Sequence, residues 1–377
     1  MKLFKKLFIA PAALGLLAPM SATANELNIA DVSGYSSSEE VKNISEFDAK
    51  KELAITNSRV DGIEAKFNNF EAGGFTETTS MKGVAEFLIG AASNGGSDAE
   101  EAVMFNYHWS VDLDTSFTGD DKLNVEISSG NQNGTKTVNE VLDFGEPASD
   151  QLRIEDINYT FPVGEWTVTV GDSLDASKQF PNACAVEAVV DGIDKCGVEK
   201  SLALGGDVSV SAGTELGNGW SLGLGLSALG ANSSDGIFTK EGTDYYGIAL
   251  GYAADNFEVS AAFGDVDSGS YYGVTAAYTP EDFPTISGGI EFGSPDFSTE
   301  DTTQYVVGIS SDLGEGTIAA AYGTKAAYKP SETELFAYDI SYSYPINDSM
   351  SIKPFAYVVE QTGDNDSGIG VITKFKF

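Results

Sequence analysis

Residues 219–230 read GWSLGLGLSALG, residues 244–254 read DYYGIALGYAA and residues 256–264 read NFEVSAAFG. Leu222, Leu224 and Leu226 alternate with Ser221, Gly223, Gly225 and Ser227. Ile248, Leu250 and Tyr252 alternate with Gly247, Ala249 and Gly251, and Phe257, Val259, Ala261 and Phe263 with Glu258, Ser260 and Ala262. A period of two puts successive side chains on opposite faces of a strand, one apolar and one small, polar or acidic. The pattern extends in both directions. Trp109, Val111 and Leu113 alternate with His108, Ser110, Asp112 and Asp114, and Phe336, Tyr338, Ile340 and Tyr342 with Ala337, Asp339 and Ser341.

Sixteen such runs fill residues 81–377, the sixth at 202–212 and the last at 368–377. Short connections at 118–121, 162–164, 213–218, 255, 280–284, 314–315 and 345–348 alternate with generally longer ones rich in Gly, Asp, Ser and Thr. An even strand number with alternating short and long connections predicts an all-β chain: a transmembrane antiparallel β-barrel of about 16 strands, both ends on one side. Beyond residue 24, Pro354 is the one proline inside a run, as expected where the ladder uses every N–H.

A soluble sandwich or barrel also alternates. Three features favour a membrane wall. The polar face is crowded with Gly, Ala and Ser as well as acids, which suits a wet lumen. Aromatic residues gather at strand ends (Tyr245, Tyr246, Tyr271, Tyr272, Tyr342, Tyr344), where interfacial girdles form. The sequence finishes on an amphipathic strand with Phe375 and Phe377 on one face and Lys374 and Lys376 on the other, resembling the signal by which barrel-assembly machinery recognises its clients.

Lys and Arg number 21 against 57 Asp and Glu, a formal charge of −36. Such a polyanion does not bind nucleic acid, whose affinity for proteins comes from Lys and Arg. His108 is the one histidine and Arg59 and Arg153 the only arginines, so no cofactor and no metal site are expected.

Residues 1–24, MKLFKKLFIAPAALGLLAPMSATA, have a basic start (Lys2, Lys5, Lys6), an apolar core and Ala22-Thr23-Ala24 before Asn25. This reads as a secretory signal cleaved between Ala24 and Asn25 rather than a membrane anchor, its apolar core being short and broken by Pro11 and Pro19. Residues 25–50 read as a polar linker. Over 51–74, Leu53, Thr56, Val60, Ile63, Phe67 and Phe70 fall on heptad a and d positions, and Gly73-Gly74 ends the helix. That helix either packs on its own domain or joins subunits as a coiled coil. Export predicts a disulfide between Cys184 and Cys196, the only cysteines.

The opening MKLFKKLFIAPAALGLLAPMSATANELNIADVSGY (1–35) and the segment KELAITNSRVDGIEAKFNNFEAGGFTETTSMKG (51–83) resemble cyanobacterial outer-membrane porins, the iron uptake or OprB-like carbohydrate-selective group. Members usually carry an S-layer-homology domain between these segments; Ser36–Lys50 is too short for one. The resemblance implies a homotrimeric porin of the outer membrane, in contact with its lipid, that passes small solutes such as sugars or iron.

In sixteen-stranded porins the third long connection narrows the lumen. Here that connection is placed at 173–201, with Asp175, Glu187, Asp191 and Asp194 as constriction acids and the disulfide as a stiffener. Strand parity turns Glu86, Asp112, Asp114, Glu126, Asp156, Asp207, Glu258 and Asp339 inward, against Lys82, Lys353, Lys374 and Lys376. This balance predicts passive diffusion with a preference for cations.

Other readings are a structural tether to the cell wall and a barrel hydrolase using His108 with Ser110; parity sends that pair toward the lumen, away from lipid. Two acid-rich stretches, 265–269 and 364–368, resemble half of a calcium loop but lack the closing glutamate.

Overall fold

The computed structural model describes residues 78–94, 103–132, 138–146 and 150–377, apart from 232, 235, 238 and 241. The expected signal, cleavage site, linker and heptad helix (Leu53, Val60, Ile63, Phe67, Phe70) lie outside the described residues.

Sixteen antiparallel strands close into a barrel in which each pairs with its neighbours in sequence and the first with the last. They are β1 (Thr79–Asn94), β2 (Met104–Thr115), β3 (Lys122–Gly130), β4 (Arg153–Val163), β5 (Trp166–Asp172), β6 (Val208–Gly217), β7 (Trp220–Leu229) and β8 (Thr243–Ala254). The second half comprises β9 (Phe257–Val266), β10 (Gly269–Tyr278), β11 (Thr285–Pro295), β12 (Thr302–Leu313), β13 (Gly316–Thr324), β14 (Phe336–Asn347), β15 (Met350–Val359) and β16 (Asp366–Lys376).

The alternation maps onto the two faces of this wall. Along β8, Ile248 and Leu250 are 44% and 41% exposed on the outside, while Ala249 between them is 1% exposed inside. Leu224, Val274, Val307 and Ile340 are likewise exposed on the outer face. An apolar outside on a closed ladder is the arrangement that satisfies every backbone group in hydrocarbon.

Three expectations need correction. The sixth strand runs from Val208 to Gly217 rather than over 202–212, because Glu199–Leu202 is a short helix and Leu202 and Leu204 are buried in a loop core. Residues 265–269 are no loop: Asp265 and Val266 belong to β9 and Gly269 opens β10, leaving a two-residue connection on the otherwise long-loop side. There Ser270 Oγ donates to Asp265 Oδ2 at 2.6 Å, and Gly269 takes φ +147, which favours glycine. Among the paired tyrosines, Tyr246 and Tyr272 face outward, whereas Tyr271 is buried and Tyr245 packs beside it on the lumen side. Adjacent residues in a strand point to opposite faces, so only one of each pair can sit in a girdle.

Closure is made by β1 and β16, which pair over eleven positions from Val84–Lys376 to Asn94–Asp366. Gly83 N–H donates to Phe377 O at 2.7 Å and Phe377 N–H to Gly83 O at 3.0 Å. A Cβ at position 83 would lie 2.3 Å from the Phe377 ring. That ring is 57% exposed and can swing aside, whereas a Cβ on Gly90 would lie 2.9 Å from the Ile369 backbone oxygen of β16. Gly90→Val is therefore expected to destabilise the closed barrel by about 1–3 kcal/mol, the usual cost of overpacking, read as a lower temperature at which the folded band is lost on electrophoresis of incompletely heated samples.

Candidate functional site

The connection between β5 and β6, residues 173–207, turns into the barrel and lies across the inner wall as far as β14. Serine, threonine and carboxylate side chains on the wall take up the backbone groups of this irregular segment, as buried backbone requires. Gln179 N–H donates to Ser211 Oγ at 2.9 Å, Ala183 N–H to Thr275 Oγ1 at 3.1 Å and Ala185 N–H to Ser287 Oγ at 2.8 Å. Asp339 Oδ2 accepts from Val189 and Val190 N–H at 2.8 and 3.1 Å. Glu291 accepts from Lys200 N–H at 3.3 Å and from Ser201 N–H at 2.7 Å.

The wall beneath this loop has been stripped of side chains. A Cβ on Gly225 would lie 1.9 Å from Ala176 O, one on Gly264 2.6 Å from Lys200 O, and one on Gly289 2.7 Å from Cys196 O. The small residues of the inward face thus seat a chain segment over much of the wall, where a wet lumen was expected. Phe180, Val198, Leu202 and Leu204 from the loop pack on Ala249, Ala262 and Tyr271. Cys184 and Cys196 are joined by a disulfide, and two short helices, α2 (Asp191–Asp194) and α3 (Glu199–Leu202), lie on either side of Cys196.

A second segment, 138–146, also enters the lumen. It carries α1 (Val138–Val141), the one-turn helix preceding α2 and α3 in the chain. Its Val138 and Phe144 meet Val190 and Ile193 of the first loop over Leu88, Phe355, Tyr357 and Val359 of the wall. Part of the β14–β16 and β1 side is therefore covered by an apolar cluster.

The wall of β2–β5 carries acids instead. Asn124 Nδ2 donates to Asp112 Oδ1 at 3.0 Å and Asp114 Oδ1 at 2.8 Å, and Asn158 Nδ2 to Asp156 Oδ1 at 2.6 Å and Asn124 Oδ1 at 3.3 Å. Two buried amides thus string three carboxylates into one fixed ladder. Asn124 and Asn158 carry no charge, and only their parity with Glu126 and Asp156 marks them in the sequence. Between this wall and the loop is a cavity of about 410 Å³ bordered by Glu126, Arg153, Glu155, Asp156, Asp175 and Lys178. Arg153 is taken up by Glu155.

The remaining candidates are scattered. Lys374 pairs with Glu86 at 3.1 Å, and Lys122, a base not singled out in the sequence, pairs with Asp114 at 3.5 Å. Asp339 faces inward as its parity indicates, but it is buried and occupied by the loop amides. Glu258 is exposed near the turn end of β9, Lys353 is half-buried on β15, and Glu187 is exposed on the loop. Asp191 and Asp194 sit on α2 at the outer edge of the covered side, where Gly192 O accepts from Gln304 Nε2 at 3.0 Å. Burial raises the Asp194 carboxyl to about 6, against partial relief from Lys195, and burial with repulsion from Asp143 raises Asp191. His108 Nδ1 is 2.8 Å from Glu146 O, on the lumen face where parity puts it.

No family model matches the chain. An 83-residue stretch is 35% identical to an uncharacterized protein of Nostoc sp., alr4550; it makes up 22% of this chain and spans only 14% of that protein's length. Among solved structures, two variants of the Rhodopseudomonas blastica porin superpose with TM-scores of 0.51 and 0.52 at 14% identity, covering 79% of this chain and 100% of the porin. At that identity the likeness concerns architecture: the barrel has the fold of a bacterial porin.

Two outcomes follow from the docked loop. Gly225→Val is expected to lift the loop off the wall, read as faster proteolysis between residues 173 and 207 in detergent-solubilised protein with the barrel still folded. A native pKa raised above the ordinary 3.8 means that Asp194 favours the folded state below that value and loses this contribution as pH rises through about 6. The melting temperature of Asp194→Asn, measured by circular dichroism, is expected to gain on wild type between pH 4 and pH 7.

Proposed function

We propose that the protein is an outer-membrane channel for passive diffusion of small hydrophilic solutes and inorganic ions, with a preference for cations. The observation that carries this reading is the acid-lined cavity left between the β2–β5 wall and the docked loop, in a barrel whose outer face is apolar. A fixed row of carboxylates in a narrow, low-dielectric passage concentrates cations and repels anions. Asp112, Asp114, Glu126 and Asp156 from the wall and Asp175 from the loop form this row. Glu187, Asp191 and Asp194, with Glu258, Lys353 and Lys374, contribute the wider field of the lumen. Asp339 serves to hold the loop.

In the same reading, residues 1–24 direct export, residues 25–50 link to a helix at 51–74 that joins three copies, and Phe375 and Phe377 present the barrel for insertion. Sugars and iron are the solute classes consistent with the resemblance in the N-terminal segments. Catalysis forms no part of this reading.

The test is the reversal potential of purified protein in a planar bilayer under a salt gradient. Cation preference is expected in wild type, and Glu126→Gln with Asp156→Asn should lower the cation-to-anion permeability ratio by about two-fold or more at low salt, where charges are least screened. Anion preference in wild type would sink the proposal.

A further inference from the structure

A second cavity, of about 350 Å³, lies toward the turn end of β5–β7 and is bordered by Glu165, Gln179, Phe180, Thr214, Glu215 and Ser221, among others. Lys178 borders both cavities, and no other residue does. It stands where the loop is held to the wall. Lys178 N–H donates to Asp175 O at 3.0 Å, and the next residue, Gln179, is pinned to the wall through its N–H to Ser211 and through Nε2 to Thr169 Oγ1 at 2.9 Å. The side chain itself is exposed. Among the described residues it forms no ion pair, whereas Arg153, the other base at the first cavity, is held by Glu155.

From this juxtaposition we infer that Lys178 is a specificity-determining charge of the passage, an unpaired positive group common to both cavities. The inference rests on the channel reading above and adds to it where the field changes sign. On the loop-end side lie Glu126, Asp156 and Asp175; on the turn-end side lie Glu165 and Glu215; the ammonium of Lys178 stands between them. On the opposite side of the lumen, Val138, Phe144, Val190 and Ile193 pack on the wall as an apolar cluster. An ammonium at that position opposes cations and favours anions locally, so it moderates the cation preference that the carboxylates create. Its influence is confined to about one Debye length, ~8–10 Å at ordinary ionic strength, which makes its position rather than the net charge decisive.

The experiment is single-channel recording in a planar bilayer at about 0.1 M salt. Lys178→Gln is expected to raise the cation-to-anion permeability ratio by about two- to three-fold, and Lys178→Glu by more. Lys178→Arg, which keeps the charge, should leave the ratio unchanged, as should Lys240→Gln, which removes the same charge from an exposed loop position outside both cavities. Because Cys184 and Cys196 are paired, Lys178→Cys introduces a lone thiol. Attaching a positively charged methanethiosulfonate to it should bring the ratio back toward wild type, and a negatively charged one should raise it further. A wild-type protein that forms no channel overturns both this assignment and the channel reading. A conducting wild type whose ratio is the same in Lys178→Gln, or shifts as much in Lys240→Gln, overturns the assignment of Lys178 alone.

Discussion

The structure rests on a close approach between backbone and backbone. A segment of 35 residues, regular only in two one-turn helices, can lie inside a barrel only if its N–H and C=O groups find partners and no side chain stands in its way. Both conditions are met by the same wall. Glycines at 225, 264 and 289 let the loop come down onto the strands, and Ser211, Thr275, Ser287, Glu291 and Asp339 rise between them to accept its amides. With either removed the loop would stand off, and the lumen would be a wide pore instead of a narrow passage.

This seating divides the inward-facing carboxylates into two kinds. Glu291 and Asp339 are buried and accept loop amides, so they hold structure and add little to the field of the passage. Asp112, Asp114 and Asp156 are tied to one another through Asn124 and Asn158 on the wall that the loop leaves bare. A carboxylate that points inward is thus a pore charge only where the loop is absent.

Strand pattern and strand number were legible in the sequence because lipid outside and small residues inside enforce a period of two on almost every strand. The approach failed where that contrast breaks down. Leu202 and Leu204 alternate like strand residues but are buried in the packing of the docked loop, which displaced the sixth strand. Tyr245-Tyr246 and Tyr271-Tyr272 each read as a pair of girdle residues, although the pleat allows only one of the two outside. The inward glycines were visible, but their meaning was not, since an empty lumen and an occupied one both call for small side chains. The separation of Asp339 from Asp156 in role depends on contacts across 149 and 150 positions of chain, beyond the reach of local pattern.

Those long separations bear on how the molecule comes together. Val189 finds its acceptor on Asp339, and Ser201 on Glu291, both made well after the loop itself has emerged. Until the ninth to fourteenth strands have lined up, the loop has only the part of its floor that β6 to β8 supply, and the rest of its greasy underside and bare amides remain open to whatever surrounds the nascent chain. Docking therefore belongs to the late stages of folding, when topology makes acquisition of structure slow, and a chain cut short before its fourteenth strand would present that sticky segment permanently to chaperones and proteases.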